Sequence, residues 1–197
     1  MSDFKKTIAA QLKESAGVLT MTVKLAPALD VVAQDLVRCY RNGGKILTFG
    51  NGGSSCDAQN FADELVGRYR RNRPPLPAVA LTVNTSDLTS IANDFGFENV
   101  FSRQLEAHAK PGDIAVAIST SGNSKNVLKA IAAAQSMGLA VIGLSGRSGG
   151  KMKPLCDRCI CIPSDSTARI QEAHIAVIQI WCGLIEDALF PNAPKAH

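Results

Sequence analysis

Several features that would move this sequence out of the ordinary globular class are missing. No apolar run reaches the roughly 18 residues that a membrane span needs. The N-terminus, MSDFKKTIAAQLKES, has no apolar signal core. No membrane partner is therefore expected, and a cytoplasmic location is. Charge is also sparse: charged residues make up 19% of the chain and the net charge is only +4. That balance suits an anionic ligand and is too small for a nucleic-acid surface, so no nucleic-acid partner is expected. No repeats, low-complexity stretches or interior linkers occur. No helix-turn-helix segment accompanies the chain. Histidine is scarce, with three in total: His108, His174 and His197.

Cysteine is present without the pattern that a metal or disulfide framework requires. Cys39, Cys56, Cys156, Cys159, Cys161 and Cys182 are expected to be reduced thiols in a chain with no export signal. Cys156-x-x-Cys159-x-Cys161 looks like half a zinc site, but no second Cys or His pair has the right spacing. Cys159 to Ile162 also reads as a short buried strand, where cysteine is a small apolar residue. One basic cluster stands out: Arg68, Arg70, Arg71 and Arg73 around Tyr69. It reads as a solvated helix end meeting a Pro-rich loop, because helix C-termini favour cations.

What the chain does have is 197 residues, 46% of them hydrophobic, enough for one domain with a sizeable core. A single domain over residues 1–190 and a loose tail over 191–197 are expected. Two N-terminal helices are predicted, about Asp3–Val23 and Pro27–Arg41. The first carries Phe4, Ile8, Leu12, Ala16 and Leu19 at helical spacing. Asn42-Gly43-Gly44 stops the second. Apolar strands are then predicted at Lys45–Phe49, Pro77–Thr82, Asp113–Ile118, Ala140–Leu144 and Arg158–Ile162. Between and after them the pattern predicts helices at Ser54–Arg70, Ser86–Ala92, Glu98–Ala109, Lys125–Met137 and Thr167–Leu189. Strands alternating with helices imply an α/β three-layer sandwich: a parallel sheet covered on both faces. In such sheets ligands bind beyond the carboxyl ends of the strands.

Two small-residue loops fall at such ends. Gly50-Asn51-Gly52-Gly53-Ser54-Ser55 leaves a strand and enters a helix. Glycine lets the backbone approach a ligand, and the helix N-terminus offers free N–H groups to an anion. The order is not G-x-G-x-x-G, and no acidic residue ends the second strand to hold a ribose. There is no P-loop lysine. Dinucleotide and nucleoside triphosphate sites are thereby excluded. The second loop, Ser119-Thr120-Ser121-Gly122-Asn123-Ser124, places four hydroxyls beside a helix start. One N-cap uses one hydroxyl. Four make a donor set for a phosphate, so the pair of loops reads as a pocket for a phosphorylated small molecule.

The segments GNGGSSCDAQNFADELVGRYRRNRP, IANDFGFENVFSRQ, ISTSGNSKNVLKAI and ARIQEAHIAVIQ resemble the sugar-isomerase (SIS) domain proteins, and among them the phosphoheptose isomerases. The resemblance covers nearly the whole chain. It implies a five-stranded parallel flavodoxin-like sheet with extra N-terminal helices, and a homotetramer with active sites between subunits. It further implies that Ser119, Thr120, Ser121 and Ser124 hold the phosphate. Asn51, Gly52, Gly53, Asn93 and Asp94 would contact the sugar, and Glu64 and Gln171 would reach the reacting end. It also implies zinc held by Glu64, Gln171 and two histidines, one four residues before the glutamate and one eight after the glutamine. This chain has Asn60 and Gln179 there. Neither amide transfers a proton at neutral pH, and both are poor zinc ligands. Glu64 remains as a candidate base. His174 is expected to pack against a neighbouring helix or subunit; neither His108 nor His197 reads as chemical. The C-terminal helix also resembles that of an SIS-fold scaffold that binds the bacterial replication initiator DnaA. A non-catalytic tetramer with a protein partner is therefore the competing expectation to an isomerase.

Overall fold

In a computed structural model, which describes residues 3–196, the alternation becomes one five-stranded sheet. The strands are β1 (Ile46–Gly50), β2 (Ala78–Ala80), β3 (Ile114–Ser119), β4 (Ala140–Gly146) and β5 (Arg158–Ile162). They lie in the order β2-β1-β3-β4-β5, all parallel. This is the flavodoxin-like order, reversing direction between β1 and β3. Every residue of β1 and β3 is buried, which is why both read as unbroken apolar runs.

Helices cover both faces, as the alternation requires. Ile46, Val116, Ile118, Ile142 and Leu144 point to one layer, formed by α2 (Ala26–Arg41), α3 (Gly53–Val66) and α7 (Thr167–Leu189). Leu36, Phe61 and Trp181 fill that layer. The intervening residues Leu47, Phe49, Ala115, Ala117 and Val141 point to the other layer, with α5 (Ser102–His108) and α6 (Lys125–Ser136). Side chains that alternate across a strand make both cores from one sheet. α4 (Thr85–Phe95) buries none of its residues.

α1 (Phe4–Thr22) begins at Asp3, whose carboxylate accepts from the Lys6 amide. Its predicted apolar stripe forms at the predicted spacing but stays largely uncovered: Phe4 is 72%, Ile8 58% and Leu12 66% exposed. Only Val18 and Thr22 of this helix are buried. A short 3-10 turn, Val23–Leu25, joins it to α2. The rod Phe4–Arg41 contains an 18-residue window of mean hydropathy 1.5, long and apolar enough to cross a membrane by composition alone. That corrects the expectation of no such run. Its α2 half is a core helix: Val32 and Leu36 are fully buried, and the Trp181 indole on α7 donates to the Leu29 carbonyl.

Other expectations fail for identifiable reasons. α3 stops at Val66 and does not run on to Arg70. The backbone N–H groups of Tyr69, Arg70 and Arg71 instead donate to the buried Glu186 carboxylate on α7, at 2.9, 2.8 and 2.9 Å. The basic cluster is thus not a solvated helix end. Arg73 is buried, bonded to Glu186 at 3.0 Å and to the carbonyls of Glu64, Leu65, Gly67 and Pro74. β2 keeps only three residues, beside prolines that cannot donate to a ladder. Glu98–Ala109 divides into a 3-10 turn, Phe97–Asn99, and α5. A further 3-10 turn, Gly150–Leu155, was not expected. The segment after α7, expected to be loose, lies against residues 70–72: Asn72 N–H donates to Pro194 O and Ala196 N–H to Arg70 O. His197 lies outside the described residues. All six cysteines are free, with Cys159 and Cys161 on β5 and their sulfurs 3.8 Å apart.

Candidate functional site

The site begins where the sheet order reverses. β1 and β3 are hydrogen-bonded neighbours, so the loops leaving their carboxyl ends emerge side by side. Asn51 leaves β1 and is tied to Asn126 in the first turn of α6 by two reciprocal amide hydrogen bonds, each 2.8 Å. That pair laces the two loops together. Gly52 has φ +55°, a conformation that favours glycine. Gly53 opens α3 directly beneath the Gln171 side chain of α7, and a Cβ there would overlap the amide.

The second loop is held from below. Ser119 is buried at the end of β3, and its hydroxyl lies 3.2 Å from that of Ser124. Ser124 occupies the N-cap position of α6, yet its hydroxyl faces Ser119 and does not cap the helix. The plain capping explanation for this serine therefore fails. Thr120 is half-buried and Ser121 exposed, its oxygen accepting from the Asn123 amide at 3.2 Å. Gly122 packs on the Gly149 carbonyl, Met152 N–H donates to Gly122 O, and Lys151 N–H to Asn123 Oδ1. The unexpected turn Gly150–Leu155 is thus the floor of this loop. The arrangement gathers the Ser119 and Ser124 hydroxyls at the start of α6, and a helix start is where an anion binds favourably.

Glu64 and Asn60 lie one turn apart on α3, which packs along α7. Glu64 is half-buried, and its carboxyl is raised above the usual glutamate range. Burial is the main cause, with repulsion from Asp63 and Glu186; Arg73 and a hydrogen bond from Asn60 oppose it. Arg73 pairs with Glu186 and reaches only the backbone carbonyl of Glu64, so Glu64 is not a spent ion-pair partner. A raised carboxylate suits a general base. Asn60 Oδ1 is buried with no hydrogen-bond partner.

Not every expected residue converges. Gln179 lies eight residues beyond Gln171, about 12 Å along the helix. It lines a separate surface cavity with Tyr69, Arg70, Ile180 and Leu184. Gln171 and Gln179 therefore stand two turns apart on α7, as their spacing places them. Asn93 and Asp94 are exposed on α4 and bond to each other at 2.7 Å, with no hydrogen bond to either loop. His174 is fully buried, with Nε2 3.1 Å from the Ser145 carbonyl. Three residues around the loops were missed by sequence reasoning: Asn126, Ser145 and Asp57. Asp57 carried a usable signal, standing seven residues before Glu64 and so on the same helix face.

Zinc does not fit these residues. Asn60, Glu64, Gln171 and Gln179 offer one carboxylate and three amides, and the last is remote from Gln171. Zinc prefers imidazole, thiolate and carboxylate. Among the described residues no group of three or more His, Cys, Asp or Glu is placed to hold a metal ion.

Comparison with known proteins bears directly on these loops. The family profile described as SIS domain matches residues 12–146. A phosphoheptose isomerase of Rhodospirillum rubrum is 57% identical over 164 residues, covering 83% of this chain and 87% of its own length. One from Helicobacter hepaticus is 53% identical over 183 residues, 93% of this chain and 91% of the relative. Among solved structures, phosphoheptose isomerase GmhA of Neisseria gonorrhoeae superposes with a TM-score of 0.89 at 43% identity, covering 93% of this chain and 99% of that one. A phosphoheptose isomerase of Francisella tularensis gives 0.91 at 36% identity, covering 95% and 100%.

Proposed function

Because the chain belongs to the SIS-domain family, among the phosphoheptose isomerases, we propose that it binds sedoheptulose 7-phosphate and interconverts it with heptose 7-phosphate. The observation that carries this reading is the lacing of the β1 and β3 loops by the Asn51–Asn126 pair. It ties the loop that carries Ser119, Thr120, Ser121 and Ser124 to the one that carries Asn51, Gly52 and Gly53, which supports a pose in which the phosphate meets the hydroxyls and the sugar chain runs over the glycines. Gln171 lies on Gly53, and Glu64 stands eleven residues further along α3, about 16 Å away, so in one chain the base is set apart from the loops.

Aldose–ketose isomerisation moves a proton between adjacent carbons through an enediol. In this reading Glu64 takes and returns that proton. Its raised carboxyl keeps the free base a better acceptor than an ordinary glutamate. Gln171 is the amide we assign to steadying the developing oxyanion. No step passes through zinc, which the donor set does not fit. The absence of the two histidines should lower the rate by about 10²–10⁴ relative to a chain that has an acid/base partner there.

Glu64, Gln179, Asn93 and Asp94 do not meet the loops in one chain. A homotetramer with sites shared between copies would bring them in, and the uncovered apolar stripe of α1 supports such an assembly. The setting we propose is the cytoplasm. A second reading, a tetrameric sugar-phosphate-binding scaffold without turnover, is favoured by Asn60 and Gln179 alone.

A coupled assay with sedoheptulose 7-phosphate, with and without added zinc, separates the two. Turnover that disappears in Glu64→Gln supports the isomerase. No turnover by the wild-type chain, together with a melting temperature that climbs with sugar phosphate, leaves the scaffold.

A further inference from the structure

α3 and α7 meet over two buried side chains, each with a polar atom that has no partner. Asp57 is 6% exposed and His174 0%. Asp57 Oδ2 lies 3.9 Å from His174 Nδ1, and neither atom has a hydrogen bond. The other ring nitrogen settles the tautomer. His174 Nε2 faces the Ser145 carbonyl oxygen at 3.1 Å, and a carbonyl only accepts, so Nε2 carries the hydrogen. Nδ1 of the neutral ring is then a bare lone pair. An ionised Asp57 would set a second acceptor against it in a dry seam, leaving both unsatisfied. A single proton between Oδ2 and Nδ1 satisfies both, after a closure of about 1 Å to hydrogen-bond distance. Burial acts in the same direction: it pushes the Asp57 carboxyl up to about 6 and the His174 imidazolium down to about 4, each toward its uncharged form.

Beyond the ring lies the anion loop. The Ser145 hydroxyl donates to the Ser119 carbonyl at 2.8 Å. The Gly146 N–H, belonging to the peptide whose carbonyl His174 holds, donates to the Thr120 carbonyl at 3.1 Å. Two successive carbonyls of the loop are therefore fixed by one dipeptide of β4, and that dipeptide is fixed from behind by the imidazole.

We infer that Asp57 and His174 share one proton and serve as positioning residues for the anion loop, acting through Ser145 and Gly146 on Ser119 and Thr120. The inference rests on the reading of Ser119–Ser124 as a phosphate cradle. An unprotonated, unrestrained ring would loosen its grip on the Ser145–Gly146 peptide and let the first two loop residues drift. Asn at position 57 preserves the device, because its amide N–H donates to Nδ1 where the shared proton did.

The test is the affinity for inorganic phosphate, read from the rise of melting temperature with phosphate concentration. Wild type, Asp57→Asn, Asp57→Ala and Ser119→Ala/Ser124→Ala are compared below pH 6, where the Asp57 carboxyl keeps its proton. Asp57→Ala should weaken phosphate binding about 3- to 10-fold, the worth of one net hydrogen bond, while Asp57→Asn keeps wild-type affinity. A merely structural aspartate would not be rescued by its amide. Folded Asp57→Ala that binds like wild type, or Asp57→Asn that loses as much as Asp57→Ala, overturns the inference while the serine double variant still binds weakly. If the serine double variant binds phosphate normally, the cradle itself falls and the inference falls with it. Should Asp57→Ala not fold, ¹⁵N spectra of His174 in the wild-type chain decide: hydrogen on Nε2 with a hydrogen-bonded Nδ1 supports the pair, and a bare Nε2 overturns it.

Discussion

Glu186 shows how much one side chain can fix. Its two oxygens, 1% exposed, accept from three consecutive backbone N–H groups and from Arg73. Nothing local announces this, since the partners lie 113 to 117 residues away in the chain. Glu186→Gln leaves the Arg73 guanidinium buried without its counter-charge. We expect a loss of about 3–5 kcal/mol, the usual cost of breaking a buried pair by one partner, read from urea denaturation. An unchanged urea midpoint would show that the carbonyls around Arg73 suffice. Asp57 and His174 make a different residue-scale prediction. The folded Asp57 holds its proton more tightly than the unfolded carboxyl, so its contribution to stability is greatest in acid and is lost as pH rises through about 6. The folded His174 resists protonation, so its contribution is present above the ordinary histidine range and lost as pH falls toward about 4. The two oppose each other between about 4 and 6. Asp57→Asn removes one of them, and its melting temperature should rise with pH across that window more steeply than the wild type's. Parallel profiles would contradict both shifts.

At the scale of elements, the sheet and its loops were legible because their signals are local. β1 and β3 are apolar throughout because both faces are covered, and the small-residue runs that follow them stand where ligands bind in such sheets. α7 was readable to its ends, Thr167–Leu189, and β5 likewise. The segment between α3 and β2 was not, because its backbone hydrogen bonds go to α7 and to the chain's end and not to itself. The same reason hid the docking of residues 193–196, which looked loose by composition. Asn72 N–H to Pro194 O at 2.9 Å, Ala196 N–H to Arg70 O at 2.8 Å and the Arg71 guanidinium to Ala193 O at 2.9 Å hold them. Truncation after Phe190 should therefore lower stability by about 1–3 kcal/mol, counting each net bond modestly. A truncated chain with the full-length melting temperature would restore the loose tail. The two loops of the candidate site were legible as small-residue runs after apolar strands. The site's reacting half was not, because helical spacing alone could not show that Gln171 sits on Gly53 while Gln179 lines another cavity.

The whole molecule leaves its first helix unexplained if it acts alone. α1 spends nineteen residues to bury two, and turns Phe4, Ile8 and Leu12 outward on one stripe. Val83, Phe95 and Phe97, around the α4 that carries Asn93 and Asp94, are also exposed. An exposed apolar stripe like that of α1 is the kind of surface that marks an interaction site. The assembly proposed above would answer both the stripe and the split site, with a second copy whose docking covers α1 and brings together the residues one chain keeps apart. Ile8→Glu with Leu12→Glu puts two charges on that stripe without touching the core, so cooperative unfolding should persist. The mass measured by light scattering should fall to a smaller species. Turnover of sedoheptulose 7-phosphate should fall with it, while inorganic phosphate, held by one chain's own loops, should still raise the melting temperature. If the doubly charged chain keeps the wild-type mass, α1 is not the contact. If its mass falls while turnover stays intact, Gln179, Asn93 and Asp94 have no part in the reaction.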